Sequence, residues 1–304
     1  MASTHEHHGT HRIGWQAFAC LMLVGTLIAM SWVVAKLADA AGAPPLTFLS
    51  ACLVGAGAVL LGVAALQRQP MKLTPRTLEY AAVSGLFFAM PNALGFLAIP
   101  HVGAGFISLS LAFPILITWV LAVIMKLERL KAQRMAGVLV GLTGGILLTA
   151  SKAGSAGDGK MWAVLVLAMP VIIAGGNLYR TLRWPANAAP VFLAALMMFG
   201  GALALLPFVL LFEPGQAHAL WASGTVANML VLETAIFSVL YLFYFVLQKV
   251  AGPVYFSQIG TVAALVGTLV AVFMLGEAPP PLLGLAGTLV IVGTIIFHRG
   301  GRSA

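Results

Sequence analysis

Apolar residues run along the chain in long unbroken stretches, and most polar and charged residues sit in the short segments between them. Crossing the hydrocarbon core of a bilayer takes about 20 apolar residues in an α-helix. Ten stretches reach or approach that length, near 15–38, 46–66, 79–99, 102–125, 133–150, 161–180, 190–212, 224–247, 254–274 and 281–298. Within them hydrophobicity is continuous rather than alternating, which predicts helices and not the strands of a membrane barrel. Little chain remains for a soluble domain. The expected fold class is therefore an all-α integral membrane protein, one polytopic unit of ten transmembrane helices.

Composition agrees with the pattern. The chain is 61% hydrophobic and 8% charged, where soluble domains carry about 25% charged residues. The net charge of +8 does not point to nucleic acid once its placement is considered. With the N-terminus inside, Arg12, Arg68, Lys72, Arg76, Lys126, Arg129, Lys131, Arg134, Arg180, Arg183, Lys249, Arg299 and Arg302 fall on the cytoplasmic face, and only Lys36, Lys152 and Lys160 fall outside. The positive-inside rule then places both termini in the cytoplasm. Cys20 and Cys52 both lie within predicted spans and read as small apolar residues rather than a disulfide or metal pair. No cleavable signal peptide is expected, because the first stretch is too long for one. Four histidines, His5, His7, His8 and His11, mark the N-terminal segment. It reads either as a disordered polar end or as a metal-binding tail.

The chain also looks like one unit written twice. Moving residues 103–148 forward by 149 positions aligns Gly103 with Gly252, Ser108 with Ser257, Met125 with Met274, Glu128 with Glu277 and Gly144 with Gly293. In the front halves, Pro45 and Pro190 open the second and seventh spans, and Gly55 and Gly200 share their offset of 145. Five spans, an odd number, separate matching points, so the second copy is inverted relative to the first. The expected organisation is a His-rich cytoplasmic tail (1–14), a five-helix repeat (15–150), an outer loop (151–160), a second five-helix repeat (161–298) and a short cytoplasmic tail (299–304). Inverted repeats of this kind belong to secondary transporters, which bind solute where the halves meet.

Several residues resemble those of the EamA family in the drug/metabolite transporter superfamily. They are Ser31-Trp32 followed by Lys36, Pro44-Pro45, Pro114, and Gln248 with the segment GPVYFSQIGTVAALVGTLVAVFMLGE at 252–277. The resemblance implies a ten-helix fold, a central cavity walled by the third, fourth, eighth and ninth spans, and an export role in a bacterial inner membrane. Members of the family include exporters of amino acids, aromatic ones especially.

A polar group inside a span costs free energy, so each one needs a reason. In the eighth span Glu233, Phe237, Tyr241, Tyr244 and Gln248 are spaced by 4, 4, 3 and 4, which puts them on one helical face. This stripe reads either as a substrate-lining wall or as aromatic packing with interhelical hydrogen bonds. Glu233 reads as a proton-coupling site or as a structural carboxyl group. Gln258 and Gly260 follow in the ninth span; the family resemblance makes Gln258 a substrate contact. In the third span Ser84, Phe88, Asn92 and Phe96 recur every four residues, and Pro91 frees a backbone carbonyl beside Asn92. The fourth span offers Ser110, Pro114 and Thr118 on one face. Trp32 and Asn177 hold matching positions in the first and sixth spans, although Trp32 also suits an aromatic belt and Lys36 can snorkel outward. Pro91, Pro114 and Gly260 are the expected hinges, with further bends at Pro170 and Pro207.

These readings converge on a transporter working by alternating access. The chain lacks a glycine-rich loop ending in Gly-Lys-Ser/Thr, so no ATPase chemistry is expected of it. The scattered histidines and acids offer no catalytic set, no metal site and no cofactor site, and a membrane enzyme is the remote alternative. The expected lining is uncharged, aromatic and amide-bearing. It suits an amphiphilic zwitterion such as an amino acid, with another metabolite or a drug as the alternative. The expected partners are that small solute and the bilayer, with no nucleic acid and no ATPase subunit, and the chain is expected to act as a monomer.

Overall fold

The computed structural model describes residues 6–126, 129–152, 159–256, 258–277 and 282–302. Its α-helices are, in order, α1 (Glu6–Ala40), α2 (Pro45–Leu66), α3 (Pro75–Val102), α4 (Ala104–Ser110), α5 (Pro114–Ile124), α6 (Ala132–Lys152), α7 (Gly159–Val166), α8 (Met169–Leu182), α9 (Pro190–Phe212), α10 (Ala219–Ala222), α11 (Gly224–Phe256), α12 (Ile259–Phe273) and α13 (Leu283–Arg302).

Proline sets many of the helix starts. Pro45, Pro75, Pro114 and Pro190 each occupy the first helical position, where the missing N–H has no helical partner to lose. At α3 a capping box adds to this: Thr74 accepts from the Thr77 backbone N–H, and the Thr77 hydroxyl accepts from the Thr74 N–H at 2.8 Å. Pro114 does more than bend the fourth span. It divides the span into α4 and α5, as Pro170 helps divide the sixth into α7 and α8. Pro91 and Pro207 are accommodated inside continuous helices.

Among the described residues, seven segments are long and apolar enough to cross a membrane: Gln16–Ala40, Pro45–Leu66, Pro75–Val102, Ala104–Ile124, Gly159–Leu182, Pro190–Phe212 and Gly224–Lys249. Ile259–Phe273 and Gly284–Phe297 are shorter apolar helices, and α6 adds a 21-residue helix. Their outward faces remain apolar, with Ile124, Leu139, Ile146, Leu203, Leu210 and Leu211 all exposed. Side chains of this kind standing outward in numbers call for lipid rather than water.

Two expectations are corrected. The ninth span does not start at residue 254; α11 runs on through Gly252-Pro253 to Phe256, and α12 begins only at Ile259. The His-rich segment is not a disordered end from Glu6 onward, because α1 already begins there. Glu128, the first member of the repeated glutamate pair, lies outside the described residues.

Helices from the two halves of the chain interleave. α6 packs on α13, α9 lies between α2 and α3, α1 lies against α11 and α12, α4 against α12, and α8 against α3 and α5. Two of these contacts are backbone on backbone. A Cβ at Gly200 would fall 2.0 Å from the Ala81 carbonyl oxygen, and one at Gly260 would fall 1.9 Å from that of Leu111. Only glycine permits such approaches.

Carboxylates tie helix ends together across long sequence separations. Glu213, at the C-terminus of α9, accepts from the Leu46 N–H (3.0 Å), the Thr47 N–H (2.7 Å) and the Thr47 hydroxyl (2.6 Å) at the start of α2. Glu277 accepts from the Ala104 and Gly105 N–H groups at 2.8 and 3.0 Å and pairs with Lys36 Nζ at 2.6 Å. Each carboxylate thus meets the unpaired N–H groups and positive dipole end of another helix. Lys36 does not simply snorkel; it is committed to this ion pair.

Candidate functional site

A cavity of about 100 Å³ lies where α1, α3, α8 and α11 meet the α4–α5 break and the start of α12. Each wall follows from local sequence. On α8, Ile173, Asn177 and Arg180 are spaced by 4 and 3 and share the inner face. On α11, Tyr241 and Tyr244 do the same, and α3 supplies Phe87, Phe88, Pro91 and Asn92. Trp32 of α1, Pro114 of α5 and Gly260 of α12 complete most of the lining.

One end of the cavity is polar. Arg180 is only 4% exposed. Its Nη2 donates to Asn177 Oδ1 at 2.6 Å and to the Tyr244 hydroxyl at 3.1 Å. The Tyr244 hydroxyl donates in turn to Asn177 Oδ1 at 3.0 Å. A weak contact joins Nη1 to Met197 Sδ at 3.9 Å, and Nε has no hydrogen-bond partner. Elsewhere the walls are aromatic: Tyr241 meets Phe88 edge-on with centroids 4.8 Å apart, Tyr244 meets Phe256 edge-on at 4.6 Å, and Trp32 meets Phe96 edge-on at 5.7 Å. Asn92 donates from Nδ2 to the Phe88 carbonyl at 2.7 Å, which leaves its own oxygen uncommitted.

Of the residues singled out from sequence, Trp32, Asn92, Tyr241 and Tyr244 line this cavity, together with Pro91, Pro114 and Gly260. Four others stand outside the lining. Gln248, one turn beyond Tyr244, donates to the Thr181 hydroxyl at 3.5 Å near the end of α8. Gln258 is half-buried at the N-cap of α12. Ser110 is buried, and its hydroxyl is satisfied by the Ile107 carbonyl at 2.7 Å. Glu233 is fully buried two turns before Tyr241, where it accepts from the Ser31 hydroxyl across the α1–α11 contact. Its second oxygen has no partner.

The structure also overturns the expectation of an uncharged lining. Arg180 is expected among the basic residues of the cytoplasmic face, yet its side chain is buried and lines the cavity. Arg183, one turn later, is the residue that stays at the surface, pairing with Glu79 at 3.0 Å.

Comparison with known proteins adds a distant relative and a fold. No protein-family model matches the chain. The curated "Probable terminal-alkyne amino-acid exporter" of Streptantibioticus cattleyicolor is 28% identical over 200 residues, covering 66% of this chain and 65% of that protein. The chain therefore matches a little under two thirds of that relative's length. A solved structure described as "Crystal structure of protein" superposes with a TM-score of 0.67 over 94% of this chain and 99% of its own, at 19% identity. That likeness is one of fold alone.

Proposed function

We propose that this chain is a secondary transporter of the bacterial inner membrane that exports small amphiphilic metabolites, amino acids foremost, by alternating access. The observation that carries the reading is the cavity itself: a buried pocket, polar at one end and apolar elsewhere, walled by helices from both halves of the chain. Small-solute sites have this character, and a distant relative bears the name of an amino-acid exporter.

The proposed framework is ten spans in two inverted halves, residues 15–150 and 161–298, with both termini cytoplasmic. Matched contacts support it. The offset of 145 relates Trp32 to Asn177 and Gly55 to Gly200; the offset of 149 relates Gly95 to Tyr244 and Gly85 to Thr234. Trp32 packs on Gly95, and Asn177 is hydrogen-bonded by Tyr244. Gly85 meets Gly200, and Thr234 meets Gly55. Gly137 meets Gly293, and their counterparts Ala286 and Gly144 also meet. Leu111 touches Gly260, its own counterpart 149 residues on, as a contact on a two-fold axis would.

The matched contacts are not equally tight, which supports a rocking motion. α3 and α9 meet backbone to backbone at Gly85 and Gly200, whereas α2 and α11 are held apart by the Thr234 side chain at Gly55. In an alternating-access cycle these two contacts exchange closeness. Pro91, Pro114 and Gly260 line the cavity and supply the hinge positions. Glu233 is proposed as the proton-coupling group, on the strength of its complete burial, its uncommitted oxygen and its place between α1 and α11.

The lining, aromatic and apolar with a polar end at Asn177, Arg180 and Tyr244, suits a solute that carries an apolar side chain beside polar end groups. The test is counterflow in proteoliposomes. Internal unlabelled leucine should accelerate uptake of labelled leucine several-fold, and equal uptake with and without internal amino acid, across a panel of apolar and aromatic amino acids, would remove the assignment.

A further inference from the structure

We infer that the cavity selects its ligand through the carboxylate, not the amine, with Arg180 as the anion-binding residue, and that the substrate class is small apolar monocarboxylates, amino acids among them. This deepens the transporter reading and rests on it.

The charge balance of the pocket carries the inference. A guanidinium has five N–H donors. Two from Nη2 are used on Asn177 and Tyr244, one contact from Nη1 reaches only a thioether sulfur, and Nε–H is unpartnered. Neither neighbour is an anion. Among the described residues no acid is bonded to Arg180: Glu79 pairs with Arg183, Glu233 accepts from Ser31 through one oxygen, and Glu213 and Glu277 cap helix starts. Burying a cation without a counter-ion is costly, and an incoming carboxylate offsets that cost with charge-assisted hydrogen bonds.

An ammonium group finds no such partner. Among the described residues, none that lines the cavity is acidic. What remains is the uncommitted Asn92 oxygen and the rings of Trp32 and Tyr241, which attract a cation more weakly than a carboxylate would. The same pocket is therefore strong for the acid end of an amino acid and weak for its amino end. The apolar walls accept the rest of the molecule.

Three ligands of one carbon skeleton separate the contributions: leucine, its des-amino acid 4-methylpentanoate, and its decarboxylated amine 3-methylbutan-1-amine. Each is added alone, at matched concentration, pH and ionic strength, to the detergent-purified full chain, and the thermal unfolding midpoint is read. A ligand that binds the folded state raises that midpoint. The expected result is a rise with 4-methylpentanoate at least about half that with leucine, and none with the amine. A rise with 4-methylpentanoate alone would keep the carboxylate assignment and remove the amino-acid reading. A rise with the amine equal to that with the acid, a rise with leucine alone, or no rise with any of the three would overturn the proposal. Arg180→Gln should abolish the rise with 4-methylpentanoate; an unchanged rise would also overturn it. The ligand series on the unaltered chain decides the matter even if that variant does not fold.

Discussion

Arg180 shows how the meaning of a side chain depends on which way it turns. Two arginines three residues apart at the end of an apolar stretch read as inner-face charges, and Arg183 does stand at the surface, paired with Glu79. Arg180 shares a helical face with Ile173 and Asn177, a 4 and 3 spacing that is passed over when Arg180 is counted only among the charges of one face. What sequence could not supply was the partner: Tyr244 lies 64 residues away on another helix. The aromatic stripe on α11 was legible for the converse reason, since Tyr241 and Tyr244 follow helical periodicity within one element. Gln248 extends that same face but stands outside the cavity lining, against Thr181 near the end of α8. Tyr244→Phe keeps the ring and removes the hydroxyl shared with Asn177 and Arg180. It should weaken leucine binding by roughly 5–10-fold, the equivalent of about 1–1.4 kcal/mol, with the thermal midpoint of the unliganded protein little changed. Glu233→Gln tests the proton assignment. It should leave leucine counterflow intact and abolish the response of export to an imposed pH gradient; a normal gradient response in this variant would remove Glu233 from the coupling path.

At the scale of elements, proline was the most readable signal. It stands at the starts of α2, α3, α5 and α9 and at the divisions of the fourth and sixth spans, because a residue without an N–H costs least where no helical bond is due. The start of the ninth span, placed at 254 from the apolar stretch alone, was missed because α11 continues through Gly252-Pro253 to Phe256. Helix caps from distant chain were not readable at all. Glu277 stood out as half of a repeated pair, yet its bonds to the start of α4 and to Lys36, 241 residues away, exist only in the folded bundle. Glu277→Ala removes two backbone caps and an ion pair together and should lower stability by about 2–4 kcal/mol. Arg183→Ala breaks an exposed pair and should cost at most about 1 kcal/mol. Glycines separate in the same way. Gly200→Ala forces a methyl against the Ala81 carbonyl and should destabilise by about 1–3 kcal/mol, while Gly62, with no atom within 4 Å of an added Cβ, should accept alanine with no loss. Thermal unfolding of the purified variants checks all four values.

For the whole molecule, the all-helical character and the membrane-spanning lengths were written in the hydrophobic pattern, because lipid imposes continuous apolar runs on any helix that crosses it. The proposed repeat rests more on contacts than on matched residues. Aliphatic matches between two apolar segments carry little information, whereas contacts such as Gly85 with Gly200 and Thr234 with Gly55 pair residues that no linear comparison brings together. A cavity at the junction of two inverted halves is the centre of the account, and inversion is the part most directly open to measurement. Met125 and Met274 occupy equivalent positions at the ends of α5 and α12, and both are exposed, at 51% and 77%. With Cys20 and Cys52 replaced by alanine, Met125→Cys and Met274→Cys would each be tested in intact cells with a membrane-impermeant thiol reagent. The account predicts that the cysteine at 274 reacts from outside, while that at 125 reacts only after the cytoplasmic face is opened. Reaction of both from the same side would contradict it.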